Sequence, residues 1–237
     1  MMINKKNLLI ALFFLASCSK EVSNSQQNLS ELMQPNQNYF ISQYECTLIQ
    51  NNNLNDLEQY IPKLSQLLKN HSFEYQLDFY FLDSQDDEIK NFIINVKNKE
   101  SINQEDLGLF INSENNIFQC LQKNNNLVAT TLISKIDQQN DIFYLEILDC
   151  EFDPDSNFGT FKVASDYFYN LLNEYSISYK ADFLNSDPSS RNFYWHNFFN
   201  SSSDRDNFYA SWIDSEDSIE IKDLFSEQSE CFSSNSY

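Results

Sequence analysis

The chain has 237 residues, a formal net charge of −20 and a mean hydropathy of −0.51. A body this acidic is repelled by phosphate, which argues against nucleic acid as a partner and against direct contact with anionic lipid. Hydrophobic residues make up 41% and aromatics 15%, enough apolar matter for one large domain or two small ones.

The N-terminus comes first in chain order and carries a targeting signal. Lys5 and Lys6 precede an apolar run from Leu8 to Ala16, nine residues long and too short to cross ~30 Å of hydrocarbon. The run ends in Leu15-Ala16-Ser17-Cys18, which resembles the lipobox of bacterial lipoproteins. That resemblance implies removal of residues 1–17 and acylation of Cys18, with the membrane as partner through lipid alone. Ser19, in the place where an Asp would retain such a protein at the inner membrane, implies the inner leaflet of the outer membrane, facing the periplasm. Residues 18–38 are polar and of low complexity and read as a flexible tether.

Beyond the tether the pattern alternates between strand and helix. Tyr39–Leu48 reads as a strand, and Leu54, Leu57, Ile61, Leu64 and Leu68 recur at helical spacing, with Pro62 expected to kink or split that helix. Strands are expected over Tyr75–Leu82, Asn91–Lys97 and Leu127–Ile136, with a second helix from about Gln104 to Gln122. The second half runs strand Ile142–Glu151, helix Phe158–Tyr175, strands Tyr179–Leu184 and Asn192–Asn200, and helices from Asp206 to Phe232. That spacing leaves no room for a final strand.

The chain also matches itself at an offset of 104, where Cys46 falls on Cys150, Tyr75 on Tyr179, Asp78 on Asp182 and Phe79 on Phe183. The expectation is therefore an α+β fold, a tandem duplication of a ferredoxin-like β-α-β-β-α-β unit, with repeats over 39–137 and 138–237. Aromatics on both faces of Phe193–Phe199 suggest two sheets packed face to face, as in a single-chain dimeric α+β barrel. Two independent halves are the alternative.

With Cys18 assigned to lipid, four cysteines remain: Cys46, Cys120, Cys150 and Cys231. An even count in an oxidising compartment reads as two disulfides. Spacing alone does not choose among the connectivities, but the duplication gives one pair to each repeat, Cys46–Cys120 and Cys150–Cys231.

Familiar catalytic motifs are excluded by composition. Gly108 and Gly159 are the only glycines, so no phosphate-binding loop, dinucleotide fingerprint or GxSxG elbow can form. His71 and His196 are the only histidines, so HExxH zinc chemistry is impossible, and neither a cofactor nor a metal is expected. Asp153, Asp155 and Asn157 approach a calcium loop, but Gly159 is one position late and Ala164 stands where a bidentate Glu belongs. A polar turn capped by Asn157 is the simpler reading. No catalytic residue is assigned.

Arg191, Trp195, His196 and Arg205 form the candidate ligand-binding window, since it holds both arginines of the chain and could clasp an anion against an aromatic. Pairing of those arginines with nearby acids is the competing explanation. The sequence favours a lipid-anchored envelope protein acting as a binding or structural module. Its alternative is a cofactor-independent small-molecule enzyme of the dimeric α+β barrel type, with His196 as general base.

Overall fold

The computed structural model describes residues 39–70, 75–81, 91–100, 107–108, 111–112, 116–135, 144–172, 178–213 and 215–237. The lipobox with Cys18, the tether and His71 lie outside the described residues. The chain is a mixed α+β fold.

The first half holds β1 (Tyr39–Leu48), α1 (Leu54–Asn70), β2 (Gln76–Phe81), β3 (Asn91–Asn98) and β4 (Phe118–Ser134). Asn53 starts α1 by accepting the Asn55 and Asp56 amides at 2.9 and 3.3 Å, while Asp56 reaches back to the Asn53 amide at 2.9 Å. Together these satisfy orphan donors of the first turn. Leu57, Tyr60, Leu64 and Leu68 form its buried stripe. Pro62 does not split the helix, which runs unbroken across it. Pro62 and Glu58 are both exposed, so the carbonyl that loses its amide partner faces water.

The second half holds β5 (Tyr144–Phe152), α2 (Phe158–Leu172), β6 (Lys180–Asn185), β7 (Asn192–Phe199), α3 (Ser202–Ile213), α4 (Glu216–Ser226) and β8 (Ser229–Ser236). Two expectations are corrected here. The stretch from Phe118 to Gln122 is strand rather than helix, because buried Phe118 and Cys120 alternate with exposed Gln119 and Leu121. The final strand does have room, because α4 stops at Ser226 and Cys231 and Phe232 belong to β8.

Among the described residues eight strands form one sheet, in the order β2-β3-β1-β4-β6-β7-β5-β8. The first four and the last four follow the same ferredoxin-like internal order, joined where Val128–Ser134 of β4 pairs with β6. Disulfides Cys46–Cys120 and Cys150–Cys231 link directly opposed residues, on β1–β4 and on β5–β8. Asn126, at φ 47°, lies at a register shift in β4. A bulge there suits Asn, which tolerates the left-handed region better than most residues.

Alternation along the strands divides the core. One face of the sheet packs on the helices through two clusters, Tyr44, Phe92 and Phe118 with α1, and Phe183, Phe193 and Trp195 with α2–α4. The opposite faces of the two halves meet each other, with Tyr80 and Ile93 against Leu145, Ile147 and Phe198. The Tyr80 and Phe198 rings lie 6.3 Å apart. The sheet therefore curls around an interior of its own.

Candidate functional site

The helix side of the second half holds a partly open cavity of about 360 Å³. Its floor is Trp195 of β7 and the Cys150–Cys231 bridge; its roof is Phe161, Phe168, Phe208, Trp212 and Phe225 from the three helices. The rings interlock, with Phe161 edge-on to Trp195 at 5.0 Å and Phe168 against Trp212 at 4.8 Å. Such walls favour flat apolar ligands. Lys222 and Ser226, both exposed, lie at the rim.

One end of this cavity is polar. Tyr179 stacks on Phe208 with ring centroids 5.1 Å apart, and its hydroxyl donates to Asn197 Oδ1 at 2.6 Å while accepting from Trp195 Nε1 at 3.3 Å. Asn197 Nδ2 donates to Glu146 Oε2 at 3.0 Å, and the Tyr209 hydroxyl donates to the same oxygen at 2.5 Å. Arg205 Nε and Nη2 bond Glu146 Oε1 at 3.3 and 3.2 Å. The guanidinium also lies over the Tyr144 and Tyr209 rings.

Glu146 is only 3% exposed, so a carboxylate is held in the core by three neighbouring side chains. Burial raises the Tyr209 hydroxyl far above its ordinary value, and the Glu146 charge raises it further. Burial does the same to Tyr179. Both phenols are neutral hydrogen-bonding groups at any physiological pH. Tyr209 lines the cavity and touches Glu146, so a hydroxyl on a bound molecule could pass a proton through it.

The four candidate residues separate. Trp195 and Arg205 belong to this site, the first as wall and the second as counter-ion of Glu146. Arg191 does not: its Nε and Nη2 bond the Phe152 carbonyl at 2.9 and 2.6 Å, and Nη2 pairs with Glu151 at 3.0 Å. His196 faces the sheet interior, on the other side of β7 from Trp195. Its base is also weak, because burial lowers the imidazole pKa to about 3, with nearby Lys97, Lys180 and Lys123 reinforcing the shift against Asp182. Asp182, which the self-match pairs with Asp78, is fully buried. Asn157 caps α2 through the Gly159 and Thr160 amides, and no cluster with metal-ligand character occurs among the described residues.

Glu146, Tyr209, Tyr179 and Asn197 escaped the sequence reading. One signal was present: in Tyr144–Phe152, Glu146 shares its strand face with Tyr144, Leu148 and Cys150, a core-facing register in which a carboxylate is costly.

No family model matches the chain, and no curated protein does. Among solved structures it is similar to a "putative monooxygenase" from Lactobacillus acidophilus, at 10% identity and TM-score 0.47 over 83% of this chain and 92% of that one. A second "putative monooxygenase", from Fusobacterium nucleatum, gives 8% identity and TM-score 0.48 over 84% and 91%. An anthrone oxidase-like protein gives 10% and 0.44 over 84% and 90%. The names of these neighbours are those of small-molecule enzymes and stand against the expectation of a binding or structural module.

Proposed function

We propose that the protein is a small-molecule enzyme that takes a proton from a flat, hydroxylated aromatic substrate held in the helix-side cavity. The observation that carries this reading is Tyr209, which lines the aromatic cavity while donating to the buried Glu146–Arg205 pair. The substrate hydroxyl would donate to Tyr209 Oη as Tyr209 gives its own proton to Glu146 Oε2. The O–H bond of the substrate breaks, an O–H bond forms on Glu146, and Tyr209 ends neutral. Arg205, no longer facing a charged Glu146, then stabilises the aromatic oxyanion. Tyr179 and Asn197 hold Glu146 in place and orient the substrate edge.

The fold reading that goes with this is a tandem duplication curled into a single-chain α+β barrel. It is supported by the common strand order of the halves, by cysteine bridges at matching strands and by the contact of Tyr80 with Phe198. Acylation of Cys18 would hold this enzyme at the periplasmic face of a membrane, and loss of membrane fractionation in Cys18→Ala tests that.

The function is tested with 1-naphthol and 9-anthranol, using naphthalene and anthracene as controls. Saturable quenching of Trp195 and Trp212 fluorescence and an oxyanion absorption band on the bound molecule are expected. Tyr209→Phe and Glu146→Gln should retain quenching and lose the band. Equal binding of hydroxylated and plain hydrocarbons, without the band, overturns the reading.

A further inference from the structure

The interior of the curled sheet carries a layer of polar residues at one level across the strands. In the first half, Asp78, Asn95, Gln43 and Asn124 are successive cross-strand partners on β2, β3, β1 and β4. In the second, Asp182, His196, Ile147 and Asn235 are the partners on β6, β7, β5 and β8. Because the two halves share one strand order, Asp78 corresponds to Asp182, Asn95 to His196, and Gln43 to Ile147.

One substitution in this correspondence unbalances the layer. Gln43 Nε2 donates to Asn95 Oδ1 at 3.1 Å, and Asn124 and Tyr194 extend the chain at 3.2 and 3.1 Å. At the matching place His196 meets Ile147, which offers nothing. His196 is fully buried, and neither Nδ1 nor Nε2 has a protein partner; Asn95 Nδ2 likewise has none. The acids of the layer are already engaged. Lys97 pairs with Asp78 at 2.5 Å, and Asp182 takes Lys180 at 2.8 Å, Thr131 at 2.7 Å and the Tyr39 hydroxyl.

Asn95 and His196 are buried on the interior side of the sheet in opposite halves, and the residues that flank them meet. Ile93, two residues before Asn95, packs with Ile147, the cross-strand partner of His196. Lys97, two residues after Asn95, lies over the Phe198 ring, whose own centroid is 6.2 Å from that of His196. A neutral imidazole presents one donor and one acceptor, and Asn95 Nδ2 adds a donor. An acceptor-only anion would leave the bare ring nitrogen unsatisfied. A molecule able both to give and to accept completes the set, and a hydroxylic one of the size of water is the smallest that does so.

We propose that the sheet interior is a second binding site, distinct from the aromatic cavity, which holds a water-sized hydroxylic molecule between His196 and Asn95. Buried water commonly fills such a role, making about three hydrogen bonds to groups otherwise unmet. The site needs both halves of the chain, so it ties them together through hydrogen bonds as well as apolar packing.

The test is nuclear magnetic resonance on the full chain with ¹⁵N-labelled His196 and Asn95. Expected are one protonated and one hydrogen-bonded bare ring nitrogen, with Overhauser transfer from long-lived water to the His196 ring and the Asn95 side-chain amide. Ile147→Gln supplies the missing partner and should abolish the transfer while leaving cavity ligand binding unchanged. Titration with chloride and formate should leave His196 unmoved; a saturable shift would assign an acceptor-only anion and overturn the proposal. Absence of water transfer in the wild-type protein, which depends on no variant folding, overturns it as well.

Discussion

Trp195 and His196 are consecutive on β7 and point to opposite faces of the sheet, the indole into the aromatic cavity and the imidazole into the sheet interior. Adjacent residues thus serve separate sites with about a strand's thickness between them. Trp195→Phe keeps a ring in the wall but removes the N–H that meets Tyr179. At roughly 1 kcal/mol for that bond, urea unfolding should show a loss of stability of about that size. The His196 resonances should not move; if they do, the two faces are coupled and the separation fails.

The Glu146–Arg205 pair makes an asymmetric prediction. Arg205 is 28% exposed at its side chain and also reaches Asp206 at 3.3 Å, so it tolerates losing Glu146. Glu146 is nearly inaccessible and does not tolerate losing Arg205. Urea unfolding should show Glu146→Gln costing about 1 kcal/mol and Arg205→Met about 3 kcal/mol, because the latter strands a buried carboxylate. The reverse order would overturn this account of the pair.

Most of the strands and α1 were legible because alternation and helical spacing are local signals. The match of Cys46 to Cys150 and of Asp78 to Asp182 likewise pointed to two halves with one strand order. What was hidden depends on contacts distant in sequence. Glu146 and Tyr209 are 63 residues apart and meet only because α3 folds back over β5. Grouping Trp195 with His196 by proximity in sequence also misled, since a strand sends neighbours to opposite faces. The helix reading of Phe118–Gln122 failed because a short apolar stretch fits either period until its partner strand, here β1, is known.

His196 should set the acid limb of stability. Its folded pKa of about 3 lies below the unfolded value near 6.5, so the unfolded chain binds a proton that the native chain refuses. Stability is therefore full above about pH 6.5 and declines as pH falls towards 3, by up to ~1.4 kcal/mol per unit. The groups around His196 are Asp182 and Lys180 on β6, Lys97 on β3 and Lys123 on β4. Burial alone would raise the Asp182 carboxyl, but Lys180, Tyr39 and Thr131 hold it below its ordinary value. Its own loss therefore begins only below about pH 4. Urea midpoints measured from pH 7 to pH 4.5 should fall in the wild-type protein and lie flat in His196→Leu. A slope unchanged by that substitution would show that His196 titrates freely.

The two disulfides should be equal for stability and unequal for the cavity. Cys46–Cys120 and Cys150–Cys231 close loops of similar length, with sequence separations of 74 and 81. Chain entropy gives each about 4 kcal/mol. Only Cys150 and Cys231 line the cavity, where their bridge fixes β8 beneath Phe225 and Ser226. A Cys46→Ser, Cys120→Ser double variant should therefore lower the urea midpoint and leave 1-naphthol affinity intact. The Cys150→Ser, Cys231→Ser double variant should lower the midpoint similarly and weaken binding at least tenfold, because a floating β8 loosens one wall. Equal loss of affinity in both variants would show that the ligand senses global stability and would remove the bridge from the site.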